Sequence, residues 1–456
     1  MGDYGLLTLL PAILVIGLAV KSKRTTEPLL VGCLVSYIII NGIRFVPAMT
    51  DAFWEVATDF DTVYLIIVCG LFGSLIKLLN HSKGTEAIAN LLGKICKGKK
   101  STLIVSWILG IIIFIDDYMN IMTISSCMRK IADKNKVSRE SLAYVIDSTG
   151  APMCVLLPFS TWAIFYANAF YEQPEVQRLG YGSAMATYNQ VIPFMFYASI
   201  AIIVVPLFIL GVIPNLGAMK KAENRVDTTG MVYSEESIHL NKDEENFDNK
   251  TGAQIIDFLI PIGLMIVITL VTGEIFWAIL GSIASCFILY IPRKRLSLKR
   301  FCDLWMEGFT EMVPALAIIL AALFMRKASA DINLPDYVVT HVMPFVNAKL
   351  FPAISFAVVS GLAFITGSNW GIPAVCVPIL IPLAASSNAN LILVMGAIIS
   401  GGVLSSHACF YSDATVMTSS ACGIENMDHV STQIPYAVIS FVFAFIAFLI
   451  SGFLIQ

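Results

Sequence analysis

Charge is scarce in this chain. Of its 456 residues only 13% are Asp, Glu, Lys or Arg, against 57% hydrophobic, which excludes an ordinary soluble globule and points to a polytopic integral membrane protein. No basic excess exists either: a net charge of -3 gives no reason to expect nucleic-acid binding, and the Lys and Arg residues gather in short loops, where they report topology. The 10 cysteines show no CxxC or Cys/His ligand spacing; most lie inside apolar runs (Cys33, Cys69, Cys154, Cys286, Cys376) and read as small packing residues. No Walker A loop or HExxH is present, which disfavours energy from ATP or zinc hydrolysis, and no nucleophile and base stand at a recognisable spacing for an intramembrane enzyme. No enzyme activity and no organic cofactor are therefore expected. No basic segment precedes the first apolar run, Leu6 to Val20, and Lys21, Lys23 and Arg24 follow it, so it reads as a retained helix rather than a cleaved signal.

What is present is a series of apolar runs near 5–20, 29–48, 62–79, 102–128, 142–170, 186–213, 255–271, 275–291, 310–327, 351–385, 391–420 and 432–455. They predict an all-α polytopic membrane protein. The longest polar stretch, 214–254, has few apolar residues, carries the run Lys242-Asp243-Glu244-Glu245, and reads as a mobile cytoplasmic linker between residues 1–213 and 255–456. Loop charge sets the orientation. Lys21 to Arg24 face inside, whereas the acidic loop 50–61 (Asp51, Glu55, Asp59, Asp61) faces outside. Run 102–128 is flanked by Lys99-Lys100 and by Arg129-Lys130, so both ends belong in the cytoplasm. About 20 residues are needed per crossing, so this run predicts a re-entrant hairpin with Asp116-Asp117 at its tip. Run 142–170 is broken at Ser148-Thr149-Gly150-Ala151-Pro152. The second half repeats this order at an offset of about 250 residues, with a second interrupted run at 351–385 and a second broken run at 391–420. Two inverted-topology repeats are predicted, each with a re-entrant hairpin and a broken helix. Arg326 and Lys327 disagree with this orientation, since they fall at the outer end of their span.

The breaks carry the candidate chemistry. An ionised carboxylate in hydrocarbon costs roughly 2.5 to 3.5 kcal/mol on insertion scales, so it needs a cavity, a partner or a proton. Asp116 and Asp117 are adjacent and resist double ionisation in a low dielectric; Asn120 shares a helical face with whichever of them it follows by three or four residues. One of the pair binds Na⁺ or a proton, or caps a half-helix. The counterpart turn Thr366-Gly367-Ser368-Asn369 offers hydroxyl, amide and carbonyl oxygens suited to a hard cation, with Trp370 as a cavity wall or a packing residue. The second broken run holds Ser405-Ser406-His407 and Ser412-Asp413, and its mate holds Asp147-Ser148-Thr149. Asp116, Asp117 and Asp413 are the candidate Na⁺ ligands. Isolated polar breaks favour a carrier over a channel, which would need a continuous polar pore. The expected partners are a small ion or small molecule and the lipid bilayer of a cell membrane, and a homodimer is left open.

The chain resembles the NhaC-type sodium/proton antiporter family of the ion-transporter superfamily along nearly its whole length. The resemblance rests on Phe114-Ile115-Asp116-Asp117-Tyr118 with Asn120, on Leu142 to Pro152, on Thr366-Gly367-Ser368-Asn369-Trp370-Gly371, on Ser412-Asp413, and on Asp428-His429 with Thr432-Gln433-Ile434-Pro435-Tyr436-Ala437. It implies an inverted-repeat secondary transporter with Na⁺ and H⁺ as coupling ions, whose hairpin tips and broken helices meet at the site. Where the family commonly reads Gly-Asp-His ahead of its Ser-Asp, this chain reads Ser405-Ser406-His407 and so lacks one carboxylate. Similar sequences are also associated with organic solutes such as amino acids and carboxylates, which leaves coupled solute transport as the alternative.

Overall fold

The computed structural model describes residues 4–22, 24–158, 160–241, 254–342 and 347–455. Among them the chain is helical without a strand, as an apolar solvent demands of a backbone that must bond to itself. The first half contains α1 (Leu10–Ser22), α2 (Thr26–Asn41), α3 (Phe45–Thr58), α4 (Phe60–His81), α5 (Gly84–Leu92), α6 (Lys99–Ile112) and α7 (Asp117–Lys134). It continues through α8 (Arg139–Asp147), α9 (Gly150–Leu156), α10 (Thr161–Tyr171), α11 (Pro174–Gln177), α12 (Ala184–Val191) and α13 (Phe196–Leu210). After α14 (Gly217–Thr229) come α15 (Ile256–Thr272), α16 (Ile275–Tyr290), α17 (Leu298–Glu311), α18 (Val313–Asp331) and α19 (Leu334–Val342). The chain then forms α20 (Phe351–Thr366), α21 (Gly371–Ser386), α22 (Leu391–Ala408), α23 (Asp413–Cys422) and α24 (Asn426–Leu454).

This is a polytopic membrane protein. Thr26–Thr58, Phe60–His81, Val313–Asp331, Leu391–Cys422 and Asn426–Leu454 are each long and apolar enough to cross a bilayer. Two bent pairs, Arg139–Leu156 with Thr161–Tyr171 and Ala184–Phe194 with Phe196–Leu210, pass the same test when each is taken as one span. The order α4, α5, α6–α7, α8–α9, α10 recurs as α18, α19, α20–α21, α22, α23: a long helix, a short amphipathic one, a pair split at a polar tip, then a broken helix.

The first hairpin forms where the sequence places it. The 14 residues of α6 extend roughly 21 Å at 1.5 Å per residue, short of a hydrocarbon core of about 30 Å. At its base Asn135 Nδ2 donates to Cys96 O (2.9 Å) and to Thr102 Oγ1 (2.8 Å), so the end of α7 lies beside the start of α6. Near its tip Asn120 Nδ2 donates to Gly110 O (2.8 Å) and Ile113 O (2.6 Å), satisfying carbonyls that the end of α6 would leave bare.

Three parts of the chain differ from the sequence reading. Residues 45–58, expected to run into an acidic loop, are helical: Gly42, at φ 56°, ends α2, and α3 continues until Asp59 caps α4 through Asp61 N and Thr62 N. In the second half, residues 298–311 form a separate helix before the span, because one face buries Phe301, Leu304 and Gly308. Gly308 meets Gly73 of α4, where a Cβ on either would stand 2.4–2.5 Å from the other's carbonyl oxygen. The supposedly mobile linker is ordered over 217–241. Arg225 Nη2 donates to both carboxylate oxygens of Glu140 (2.9 Å each), and Glu223 Oε1 accepts from Ser138 Oγ (2.6 Å) and Ser141 Oγ (2.7 Å). Asn241 Nδ2 donates to Gly423 O (2.9 Å) and Ser237 Oγ accepts from Glu425 N (2.9 Å), tying the segment to the α23–α24 turn. Its polar composition reflects partners on buried polar groups rather than solvation. The Lys242 to Glu245 run lies outside the described residues.

Candidate functional site

Helix ends from both halves converge on a cavity of about 380 Å³. It lies where three apolar cores meet, one holding Ile115 and Met119, a second Trp162 and Ile372, and a third Phe410 and Tyr411. Asp116 and Asp413 line it from opposite halves, together with the turn Thr366 to Trp370.

Asp116 is the N-cap of α7. Its Oδ1 accepts from Met119 N (3.1 Å) and its Oδ2 from Thr161 Oγ1 (3.2 Å), the favourable place for a carboxylate at the positive end of a helix. Asp413 is the first residue of α23, with Oδ1 accepting from Ala414 N (2.8 Å) and from Asn369 Nδ2 (3.1 Å). Its Oδ2 accepts from the Tyr118 hydroxyl (2.5 Å), which joins α7 of the first half to α23 of the second. Asp117 points away from the cavity lining and is fully buried. The Trp162 indole N–H faces its carboxylate. Asn120 Oδ1 is buried without a partner among the described residues, and Ser148 Oγ lies beside the Tyr144 hydroxyl. The broken helix reaches this cluster directly: a Cβ on Gly150 would stand 3.7 Å from Asp117 Cβ. A fully buried carboxylate with an indole N–H as its side-chain donor calls for a cation or a proton.

The second tip is built for rigidity. Gly367 has φ 65°, and Tyr411 packs where its side chain would be. Thr366 Oγ1 bonds back to Leu362 O (2.8 Å), Ser368 Oγ accepts from Gly371 N (3.0 Å), and Trp370 lies 4.3 Å from the Trp162 ring centre.

Other predicted residues stand behind this layer. Ser405 Oγ donates to Ala363 O (2.7 Å), His407 Nε2 lies 3.0 Å from the Tyr197 hydroxyl, and Ser406 Oγ is 3.4 Å from Asn369 Nδ2; none of the three lines the cavity. Ser412 caps α23 through Thr415 N (3.3 Å). Thr149 Oγ1 bonds back to Val145 O (2.9 Å). Asp147 forms its own buried centre: His429 Nε2 lies 3.0 Å from Oδ2, which also accepts from Gln433 Nε2 (2.8 Å) and Thr415 Oγ1 (3.2 Å). Sequence reasoning did not single out Tyr118, His429 or Gln433 as site residues, although all three stand in the stretches quoted for the family resemblance. Arg326 was visible only as an orientation anomaly, and it lines the cavity.

Residues 175–453 match the model of a family described as the Na⁺/H⁺ antiporter family. The chain belongs to that family. Membership makes it a secondary transporter with small ions as cargo, and Na⁺ and H⁺ are the coupled ions the family implies. The family match holds Arg326, the 366–370 turn and Asp413, while Asp116, Asp117 and Asp147 precede it. An uncharacterized protein of Haemophilus influenzae is 26% identical over 494 aligned positions, covering 98% of this chain and 91% of its own length. The malate-2H(+)/Na(+)-lactate antiporter of Bacillus subtilis is 26% identical over 112 residues, 25% of this chain and 24% of its own.

Proposed function

We propose that this protein exchanges Na⁺ for H⁺ across the cell membrane by alternating access. The observation that carries this reading is the grouping of Asp116 and Asp413 on one cavity with Asp117 fully buried behind it and no cationic side chain paired to it among the described residues. Three carboxylates this close together at membrane depth attract cations or protons that neutralise them, and binding one species displaces the other. Asp117, Asn120 and Ser148 supply oxygens for Na⁺ on the inner side of the tip, and Asp413 with Asn369 supplies them on the cavity side.

Residues 1–213 and 255–456 act as inverted repeats joined by a cytoplasmic linker, 214–254; the recurrence of element order supports this division. The hairpins and broken helices, α6–α10 and α20–α23, form the unit that moves against α1–α4 and α15–α18. Exposed Asp61 and Gly273 stand on the cavity rim, at the end of the bundle that loop charge assigns to the outside, so the conformation described is outward-facing.

Purified protein in liposomes, with a pH-sensitive dye inside, tests the reading. Asp413→Asn and the double change Asp116→Asn, Asp117→Asn should each abolish Na⁺-driven proton movement at unchanged expression, because the amide keeps shape and loses charge. Exchange with wild-type Na⁺ dependence in either variant removes that residue set from the site.

A further inference from the structure

Arg326 is the basic residue on the cavity wall, and it stands on α18, outside the hairpins and broken helices. Its helix is fastened on the far side. Lys327 Nζ pairs with Glu55 of α3 (3.1 Å) and with Asp331 (2.9 Å), and Asp331 accepts from the Tyr37 hydroxyl of α2 (2.7 Å). What Arg326 faces belongs to the other body. A Cβ on Gly371 of α21 would stand 3.4 Å from its Cδ and 3.6 Å from its Nη1, and it acts through space on Asp413 of α23. Among the described residues it makes no hydrogen bond or ion pair with either helix, so its hold on them is electrostatic alone.

Neither of its surroundings explains a cation there by stability. The start of a helix is its positive end, where a guanidinium is unfavourable, and α21 has no acidic residue in its first turn to offset that. A cavity that takes up Na⁺ is also opposed by a fixed positive charge. What Arg326 does favour is Asp413 ionised and empty. Asp413 is faced by Asp116, Asp117 and Tyr118 from the first tip, by Cys69 of α4, by Cys409 after α22 and by Arg326. Of these only Arg326 is cationic. Leu65, Ile319 and Leu323 make the adjoining wall apolar, and in such surroundings a charge is felt further than in water.

We propose that Arg326 is a positioning residue that holds the empty, ionised transport unit in the outward-facing conformation and releases it when Na⁺ or a proton neutralises Asp413. The inference rests on the cation site and on the division into moving unit and scaffold proposed above. Because α18 stays behind, an inward step carries Asp413 away from Arg326 and leaves two opposite charges separated at membrane depth, which opposes the step. With Asp413 neutralised, nothing is separated. Linkage adds a second consequence. A charge that favours the empty outward-facing state lowers cation affinity in that state by the same factor, so Na⁺ binds more weakly from the outside than from the inside. A factor of about 10 corresponds to about 1.4 kcal/mol, within the reach of one charge pair in a partly dry cavity.

The test reads conformation in the full-length protein. Leu65 of α4 lines the cavity, so Leu65→Cys in a background lacking native cysteines, treated from outside with an impermeant thiol reagent, reports whether the cavity is open. Labelling should be fast in alkaline choline medium and slow on adding Na⁺ or lowering the pH. Arg326→Gln should label about 10-fold more slowly without Na⁺ and lose most of the Na⁺ response, whereas Arg326→Lys should restore it. A cation that merely shielded the thiol would act equally on both proteins, so an undiminished Na⁺ response in Arg326→Gln overturns the hold while leaving the exchange reading standing. If Arg326→Gln fails to fold, right-side-out and inside-out vesicles of the wild-type protein decide: half-saturating Na⁺ for proton movement should be about 10-fold higher from the outside, and equal values overturn the proposal. Labelling that responds to Na⁺ through Arg326 without any Na⁺-driven proton movement keeps the hold and overturns the exchange reading. A wild-type protein whose labelling ignores both Na⁺ and pH overturns the hold.

Discussion

Replacing Gly367 by Ala tests whether the second tip is held as rigidly as its contacts require. Gly367 sits at φ 65°, where an L side chain costs roughly 1 to 2 kcal/mol. The added Cβ would stand 2.3 Å from Tyr411 Cδ2 and 2.6 Å from Cε2. The ring has little room to yield, being fully buried with its hydroxyl bonded to Ile365 O, so overpacking adds about 1 to 3 kcal/mol. The sum is about 2 to 5 kcal/mol, and any part relieved by moving the turn displaces Ser368 and Asn369 and so loosens the 3.1 Å contact to Asp413. At about 1.4 kcal/mol per tenfold, even half of the lower figure taken from the site weakens Na⁺ binding by about fivefold. Thermal unfolding of the purified protein and the Na⁺ concentration for half-maximal proton movement would measure the two effects. Gly263→Ala is the control, since nothing lies within 4 Å of its would-be Cβ. A Gly367→Ala protein matching wild type in both measurements would refute the reasoning.

Arg225→Ala strips the bidentate partner from Glu140, whose side chain is 2% exposed, and should destabilise the protein by about 3 to 5 kcal/mol. Replacing Glu140 by Gln in the same chain should recover part of that loss, as read from unfolding midpoints. Cysteines placed at 100 and 130 in a background lacking native cysteines should label from the same, cytoplasmic, side, because the hairpin base is closed by Asn135; labelling from opposite sides ends the hairpin. His429→Phe removes a partner of Asp147 without touching the cavity wall, so it should alter the pH dependence of exchange more than the half-saturating Na⁺ concentration, and an unchanged pH profile would count against a protonic role for that centre.

The parts of the site that were legible share one property: they interrupt something regular. Asp116-Asp117 and the 366–370 turn stand out because charge and broken backbone are costly inside an apolar run, and the 250-residue recurrence set the two interruptions in register. Long-range pairing was not legible. Nothing local links Tyr118 to Asp413, 295 positions apart, or Asp147 to His429, 282 apart. Arg326 was visible only as an orientation anomaly, because loop statistics speak to topology alone, whereas its helix turns it onto the cavity. Ser405 and His407 are candidates by their place in a broken run, and the structure sets them behind the cavity wall, bonded to α20 and α13. The expectation that the linker is mobile differs over 217–241 for another reason: polar composition cannot tell solvated residues from residues whose partners are buried acids and serines of another helix.

The bond between Tyr118 and Asp413, and the contacts of Thr415, His429 and Gln433 with Asp147, bear on how the chain is made. During synthesis Asp116, Asp117 and Asp147 enter the bilayer some hundreds of residues before the groups that satisfy Asp147 exist, and Asp413 arrives long after Tyr118. Until residue 433 has left the ribosome, Asp147 lacks the last of its hydrogen-bonding groups, so α8 cannot reach its final packing before α24 is made. The Asp147 centre is therefore among the last parts of the molecule to become native, and a nascent chain halted before α24 presents the cell's quality control with an unsatisfied polar group at membrane depth.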